Sequence, residues 1–165
     1  MRVVGEALTQ LVMACAVHNV PVPIIEAIVL TESSGYVYAL SGSYDYSAYY
    51  LLPKNAEEIE YAIAVGTASL EHKVNISVGL MQVNSWHMQK MGASAITTID
   101  PCNNIFIGSS IFKEIVNRVC VDGFDEHCLD QSLRQYNTGR TEPSVAGNAY
   151  VGKVRANMLI LRTDL

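Results

Sequence analysis

An apolar segment near the N-terminus constrains the fold of this chain more than any other feature. Residues 24–30 read IIEAIVL and contain one polar residue, Glu26. A helix of this composition has almost no polar face, so it must be buried on most sides and the rest of the chain must surround it. Ser33, Ser34 and Gly35 follow as a C-terminal stop, with Gly35 suited to the left-handed cap position. The sequence therefore predicts a central helix that ends near residue 33.

Glu32 falls in the last turn of this predicted helix, beside the negative end of the helix dipole and among apolar neighbours. Both surroundings disfavour an ionised carboxylate, so we expect the pKa of Glu32 to be raised. A raised pKa lets a carboxyl group keep its proton near neutral pH, which a general acid requires. Glu26 lies near the helix start, where the dipole favours its negative charge. Position alone makes Glu32, and not Glu26, a candidate catalytic acid, and the alternative is a solvated glutamate, which is the commoner kind at helix ends.

Composition excludes several classes of protein. The 165 residues are 50% hydrophobic and 16% charged, which is typical of one globular domain spanning 1–165. The net charge is -5 and the basic residues are scattered, so the chain lacks the basic patch that nucleic-acid binding requires. No apolar run approaches the ~18 residues of a membrane span. The apolar residues from Leu8 to Cys15 recur at helical spacing, which favours a surface helix of the mature domain over a signal peptide.

The four cysteines, Cys15, Cys102, Cys120 and Cys128, indicate disulfides. Zinc binding is not expected, because no C-x-x-C motif is present and His127 lacks a second closely spaced pair of ligands. Cys102 and Cys120 flank a predicted helix and would lie roughly 25 Å apart, whereas a disulfide needs ~6 Å between Cα atoms. Cys120 and Cys128 bracket a short acidic loop and can meet, which leaves Cys15 for Cys102. Two disulfides indicate an oxidising compartment.

The remaining pattern predicts an α+β domain that is predominantly helical, with a small irregular β lobe. Residues 36–52 are rich in Tyr, Ser and Gly with partial alternation, which favours short strands. Asn55 with Glu58 three residues later forms a capping box that starts a helix. Residues 76–83 contain Gly79 and are expected to be extended or turn-forming. Helices are predicted at about 5–18, 55–72, 105–119, 128–136 and 148–161.

Three short motifs follow Glu32 at wide spacing. Residues 77–84, SVGLMQVN, place the amide of Gln82 in an apolar stretch. Residues 136–139, YNTG, place a phenol and an amide at a predicted helix end, and Tyr150 begins the last helix. Each motif alone is more often structural, because short motif matches are common. Their order along the chain is the specific signal.

Together these motifs resemble the catalytic domain of the soluble lytic transglycosylases, the goose-type-lysozyme-like enzymes that cleave peptidoglycan. That family's pattern is Glu-Ser, then Gly-Leu-Met-Gln, then Tyr-Asn-x-Gly, then a late tyrosine, and every part is present in the region from about 10 to 160. Residues 100–105, DPCNNI, and the cysteine before the central helix further resemble the small transglycosylases attached to secretion and conjugation machines. That likeness also supports the pairing of Cys15 with Cys102.

The resemblance implies a lysozyme-like fold and a reaction that needs one carboxyl group. Glu32 would protonate the leaving oxygen of the MurNAc-GlcNAc β-1,4 bond, and the muramic acid 6-hydroxyl would close a 1,6-anhydro ring. Tyr136 is a candidate hydrogen-bond donor to Glu32 or to the substrate. No cofactor or metal is expected, and Trp86, the one tryptophan of the chain, is interpreted as structural. Substrate contacts are expected from Ser33, Ser77, Met81, Gln82, Tyr136, Asn137 and Tyr150.

The expected function is a periplasmic lytic transglycosylase that acts on peptidoglycan glycan strands for a secretion or conjugative-pilus apparatus. Two alternatives remain open. If Asp45 in the tyrosine-rich lobe faced Glu32 across a cleft, the protein would be a two-carboxylate muramidase of the same fold. A non-catalytic peptidoglycan-binding assembly module would keep the fold, but binding alone does not need a buried acid. The products released from peptidoglycan distinguish these functions.

Overall fold

The computed structural model of the chain describes residues 1–44 and 47–163. Within this part the chain is mostly helical, with one small antiparallel sheet, as the sequence pattern predicts. The helices are α1 (Glu6–Cys15), α2 (Val22–Ser33), α3 (Ala56–Glu71), α4 (Ser85–Met91), α5 (Ala95–Ile99), α6 (Pro101–Val119), α7 (Glu126–Thr138) and α8 (Val145–Thr163). The strands are β1 (Leu40–Tyr44), β2 (Ser47–Leu51), β3 (Ile76–Val78) and β4 (Val83–Asn84).

Helix α2 lies at the centre of the domain, as its composition requires. Its residues from Ile24 to Val29 are buried without interruption, and α1, α8 and Phe112 of α6 contribute to the same core. Burial of this apolar surface is the main stabilising contribution. Glu26 lies in the N-terminal half of α2, as predicted, and is also buried, at 4% exposure, which the sequence did not indicate. Its carboxylate Oε1 accepts a 2.5 Å hydrogen bond from Thr9 Oγ1 of α1.

Helix α2 ends through two consecutive left-handed residues. Ser34 has φ 52° and its amide donates to the carbonyl of Leu30, so the cap position is one residue earlier than predicted. Gly35 follows with φ 80°, and a Cβ there would lie 2.2 Å from the carbonyl oxygen of Val3. Only glycine fits this close approach. The tight stop fixes the position of Glu32 at the end of the helix.

The sheet has the strand order β2-β1-β3-β4, and all its pairs are antiparallel. Strands β1 and β2 form a hairpin in which Leu40 is paired with Leu51, which agrees with the strands predicted in this lobe. Strand β3 pairs with the other edge of β1, placing Ser41 opposite Ser77. Strand β4 then pairs Asn84 with Ser77. These registers place three polar residues from three strands in one row.

The helix starts follow capping residues more closely than hydrophobic periodicity. Asn55 caps α3 by accepting from the amide of Glu58, as predicted. Helix α6 begins at Pro101 rather than at residue 105, because Asp100 accepts from the amide of Asn103 and proline is favoured at the first helical position. Helices α7 and α8 likewise begin at residues 126 and 145, two to three residues before their predicted starts. The short helices α4 and α5 were not predicted.

Two disulfides join the helices in the predicted pairs. Cys15 at the end of α1 bonds to Cys102 in the first turn of α6, with 5.2 Å between Cα atoms. Cys120 and Cys128 are 5.3 Å apart and close the loop between α6 and α7. Both separations are typical of disulfides. No helix in the described part of the chain combines the length and hydropathy that crossing a membrane requires.

Candidate active site

A cleft of about 330 Å³ separates the sheet from the C-terminal ends of α2 and α7. Strands β1, β3 and β4 supply one wall, and α4, α6 and α7 supply the others. Among the described residues that line this cleft, Glu32 is the only one with a carboxyl group. The described lining residues are Glu32, Ser41, Ser77, Gln82, Val83, Asn84, Trp86, His87, Ile111, Ile115, Gln135, Tyr136, Asn137 and Gly139.

Glu32 opens into the cleft from the last turn of α2. Although the residue retains partial solvent exposure, its carboxyl group is enclosed deeply enough that desolvation raises its pKa from 4.5 to about 7. Tyr150 of α8 opposes this shift by donating a 2.7 Å hydrogen bond to Glu32 Oε1. Tyr50 of β2 donates a 2.9 Å hydrogen bond to the main-chain oxygen of Glu32, one of the carbonyls left free at a helix end. Two tyrosine hydrogen bonds therefore fix the position of Glu32, and the pKa of its carboxyl group lies near neutral pH.

Tyr136 lines the cleft but does not bond to Glu32. Its phenol donates a 2.9 Å hydrogen bond to the main-chain oxygen of Met81, and its ring packs edge-to-face against Phe112. Because a phenol has one proton to donate, the predicted bond from Tyr136 to Glu32 is absent, and Tyr150 makes it instead. Burial raises the pKa of Tyr136 well above its ordinary value, so the group stays a neutral donor.

Hydrogen bonds with Asn104 of α6 fix the turn from Gly79 to Gln82. The buried side chain of Asn104 accepts from the amide of Met81 and donates to the carbonyl of Val78. Gly79 has φ 79°, and a Cβ there would lie 2.2 Å from Asn104 Nδ2. Met81 is fully buried in the core, so its predicted role as a sugar contact is wrong. Its main chain, rather than its side chain, serves the site.

Gln82 has a left-handed backbone conformation, with φ 47°, and its side chain stabilises the wall of the cleft. Its side-chain amide donates to the carbonyls of Gly79 and Ala39, at 2.9 and 3.3 Å. Its side-chain oxygen accepts a 2.6 Å hydrogen bond from Ser41 Oγ. Gln82 therefore holds the turn together and orients Ser41 beside Ser77.

The family described as Transglycosylase SLT domain matches residues 12–156. The chain belongs to this family. It is 34% identical over 104 residues to the type IV secretion system protein virB1 of Brucella abortus, Brucella melitensis and Brucella suis. The match covers 57% of this chain and 43% of each relative, so the chain spans less than half the length of these proteins. No solved structure matches the chain.

Membership of the transglycosylase SLT family confirms the predicted family and, with it, the lysozyme-like α+β fold. The chain carries a transglycosylase domain, as the order of its motifs predicts. Among the described residues, no three His, Cys, Asp or Glu side chains lie close enough together to bind a metal ion.

The predicted substrate-contacting residues divide into two groups in this transglycosylase domain. Ser77 and Asn137 line the cleft, and Asn137 is exposed at the end of α7. Ser33 is fully buried, where its hydroxyl donates to the carbonyl of Val29 and accepts from the amide of Gly35. Its predicted contact with sugar is therefore wrong, because it completes the stop of α2 instead. Tyr150 is buried and reaches the cleft through its bond to Glu32.

Three of the residues that line the cleft had no predicted site role: Ser41, Asn84 and Trp86. Ser41 and Asn84 join the site because their strands pair with β3, which a single sequence does not reveal. Trp86 is 61% exposed and lines the cleft, so its interpretation as a structural tryptophan is wrong. His87 lies beside it and is half-buried. The position of Asp45, the second candidate carboxylate, lies outside the described residues.

Proposed function

We propose that this domain is a lytic transglycosylase that cleaves the MurNAc-GlcNAc β-1,4 bond of peptidoglycan and leaves a 1,6-anhydro-MurNAc end. The observation that carries this proposal is the placement of Glu32, which is the one carboxyl group among the described residues of the cleft and accepts a hydrogen bond from Tyr150. Burial at this position raises the pKa of Glu32 to about 7. A carboxyl group with this pKa holds its proton near neutral pH and accepts it back readily. A single residue of this kind can serve both halves of the reaction.

In the first half, the Glu32 carboxyl group donates its proton to the glycosidic oxygen as the bond between that oxygen and the muramic acid C1 breaks. The carboxylate that forms is stabilised by the hydrogen bond from Tyr150 Oη, which is already in place at 2.7 Å. A donor that is already in place favours proton transfer, because its hydrogen bond becomes stronger as negative charge develops on the Glu32 carboxylate. Tyr150 is therefore assigned to stabilise ionised Glu32.

In the second half, the muramic acid 6-hydroxyl attacks C1 and gives its proton to the Glu32 carboxylate. The bond between O6 and C1 closes the 1,6-anhydro ring, and Glu32 returns to its protonated form. No water is consumed, so no second carboxylate is needed to activate one. A mechanism that needs one carboxyl group agrees with the cleft, since Glu32 is the one acidic residue among its described lining residues.

The polar row across the sheet is assigned to substrate binding. Ser41, Ser77 and Asn84 come from three adjacent strands and all line the cleft. Asn137 faces them from α7. Hydroxyl and amide groups provide both donors and acceptors, which suit the N-acetyl and hydroxyl groups of an amino-sugar chain. We assign Gln82 to position Ser41 in this row.

We further propose that the protein acts in the periplasm and opens the wall locally for a type IV secretion or conjugative-pilus apparatus. The support is the likeness to the type IV secretion system protein virB1 of Brucella. The two disulfides agree with an oxidising compartment of this kind. Peptidoglycan glycan strands are the proposed substrate, and components of the secretion machinery are the proposed partners.

The decisive experiment is digestion of purified peptidoglycan followed by mass analysis of the released muropeptides. We expect products that end in 1,6-anhydro-MurNAc and lack the added mass of water. Reducing ends would instead assign a muramidase that uses water, with Asp45 the first residue to test. A complete absence of released products, with peptidoglycan still bound, would assign a binding module.

A further inference from the structure

Trp86 is an exposed aromatic residue that lines the cleft. It is the one tryptophan of the chain and the second residue of α4. Helix α4 is anchored in the core by Met88, which is fully buried, so Trp86 is not needed for that packing. A large aromatic side chain held in a concave site is typical of a ligand contact.

One hydrogen bond fixes the main chain of Trp86, and two contacts restrain its indole. The main-chain amide of Trp86 donates to Asn84 Oδ1 at 2.9 Å, which ties the start of α4 to the polar row. The imidazole of His87 meets the indole edge-on, with 4.8 Å between ring centroids. The Lys90 ammonium group lies 5.4 Å from the indole centroid, a cation–π distance. A side chain restrained in this way loses little conformational entropy when a ligand binds.

The remaining surroundings indicate the kind of ligand. Ile111 and Ile115 of α6 add apolar surface to the same cleft, while Ser77 and Asn84 supply hydrogen-bonding groups. Burial and the nearby Lys90 ammonium group lower the pKa of His87, which favours the neutral imidazole and leaves Lys90 as the charged group beside the indole. An aromatic face next to neutral polar groups fits a sugar ring, which presents C–H groups on its face and hydroxyls at its edge.

We propose that Trp86 and His87 form a sugar-stacking subsite, in which the indole packs against one N-acetylated hexose of the glycan strand and Lys90 restrains the indole. The proposal deepens the proposed function, because it names the residues that hold the strand in the same cleft as Glu32. Trp86 is a specificity residue here and takes no part in proton transfer. Its loss should therefore weaken substrate binding much more than the chemical step.

The single tryptophan provides a direct binding test. Glu32→Gln is titrated with a β-1,4-linked GlcNAc tetramer and with solubilised glycan strands, with selective excitation of tryptophan. We expect a saturable change in emission with both sugars, and the same dissociation constant from calorimetry. If calorimetry detects binding while tryptophan emission stays constant, or if neither sugar binds, the subsite is refuted.

Kinetics on peptidoglycan supply an independent test. We expect Trp86→Ala to raise KM about 5-fold or more, with kcat within about twofold of wild type, since losing an aromatic contact of about 1 kcal/mol weakens binding by roughly this factor. Trp86→Phe keeps an aromatic face and should restore most of the affinity. Tyr61→Ala is the matched control, because Tyr61 is 63% exposed on α3 and does not line the cleft.

The outcomes separate this inference from the proposed function. If wild type releases anhydro products but Trp86→Ala keeps a normal KM, the subsite is wrong and the reaction stands. If wild type releases no products but tryptophan emission saturates with the GlcNAc tetramer, the subsite stands and the reaction is wrong. If Trp86→Ala fails to fold, Trp86→Phe and the titration of Glu32→Gln still decide the question.

Discussion

The two carboxylates of helix α2 lie six residues apart and occupy opposite surroundings. Glu26 is enclosed in the core between α1 and α2, where Thr9 supplies its hydrogen bond, and it does not line the cleft. Glu32 lies where the helix stops, facing the cleft, with Tyr150 as its donor. Burial alone therefore does not distinguish Glu32, the proposed catalytic acid, from Glu26. The catalytic group also needs access to substrate and a donor placed to stabilise its ionised form.

The largest expected difference between the two carboxylates is in activity. Glu32→Gln should lower the rate of peptidoglycan cleavage by about 10²–10⁴, the contribution of a general acid. Glu26→Gln is the matched control, because it makes the same substitution on the same helix outside the cleft, and it should stay active. Muropeptide release at equal protein concentration measures both. Near wild-type cleavage by Glu32→Gln would remove Glu32 from the mechanism.

The next largest expected effect is on stability and comes from the two disulfides, which lie outside the cleft. The Cys15–Cys102 disulfide joins α1 to α6 across 87 residues, and its replacement by serines should cost about 4–5 kcal/mol of unfolding free energy. The Cys120–Cys128 disulfide spans 8 residues and should cost about 2–3 kcal/mol. Chemical denaturation of the two double variants measures the difference. Equal losses would show that loop closure does not set the stability of this fold.

Glu32 should also make the free energy of unfolding depend on pH. The dependence has the opposite sign to that of a salt-bridged carboxylate, because the pKa of Glu32 is raised rather than lowered. Because folding raises the pKa of Glu32 from 4.5 to about 7, the folded state favours the protonated form and is destabilised as pH rises through this window. Glu32→Gln cannot ionise, so at pH 8 it should be more stable than wild type by up to about 3 kcal/mol. At pH 4 the two should be nearly equal. Denaturation at both pH values tests the sign, and a variant less stable than wild type at pH 8 would contradict it.

The two tyrosines near Glu32 should affect the pH dependence of activity differently, because only Tyr150 bonds to the Glu32 carboxyl group. Wild-type activity should fall as pH rises above about 7 and Glu32 loses its proton. The bond from Tyr150 lowers the pKa of Glu32, so Tyr150→Phe should move this alkaline limb to higher pH and reduce the rate about tenfold. Tyr136→Phe breaks a bond to Met81 instead and should leave the limb in place. Rate profiles from pH 5 to 9 distinguish them, and a shared shift would show that both tyrosines act on Glu32.

The sequence predicted features that depend on local chemistry and missed those that depend on packing between distant segments. The helix stop after Glu32, the Asn55 cap and both disulfide pairs follow from residue types and spacing. The burial of Glu26 depends on α1 packing against α2, which the helix sequence alone does not indicate. Ser41 enters the site through its pairing with β3. Tyr150 of α8, rather than Tyr136, donates to Glu32, because the phenol of Tyr136 bonds to the carbonyl of Met81. The sequence motifs identified the candidate residues, whereas the hydrogen bonds between their atoms depend on tertiary packing.

The smallest expected effect belongs to the polar contact that holds Glu26 in the core. Thr9→Val keeps the shape of the side chain but removes the hydroxyl that bonds to Glu26, leaving a buried carboxylate oxygen without this donor. We expect a loss of about 1–3 kcal/mol of unfolding free energy with no change in kcat or KM. The double variant Thr9→Val with Glu26→Gln should lose less than the two single variants added together, since an amide tolerates the missing donor better than a carboxylate. If Thr9→Val altered the pH profile of cleavage, the two ends of α2 would be coupled, and the separation between a structural and a catalytic carboxylate on one helix would fail.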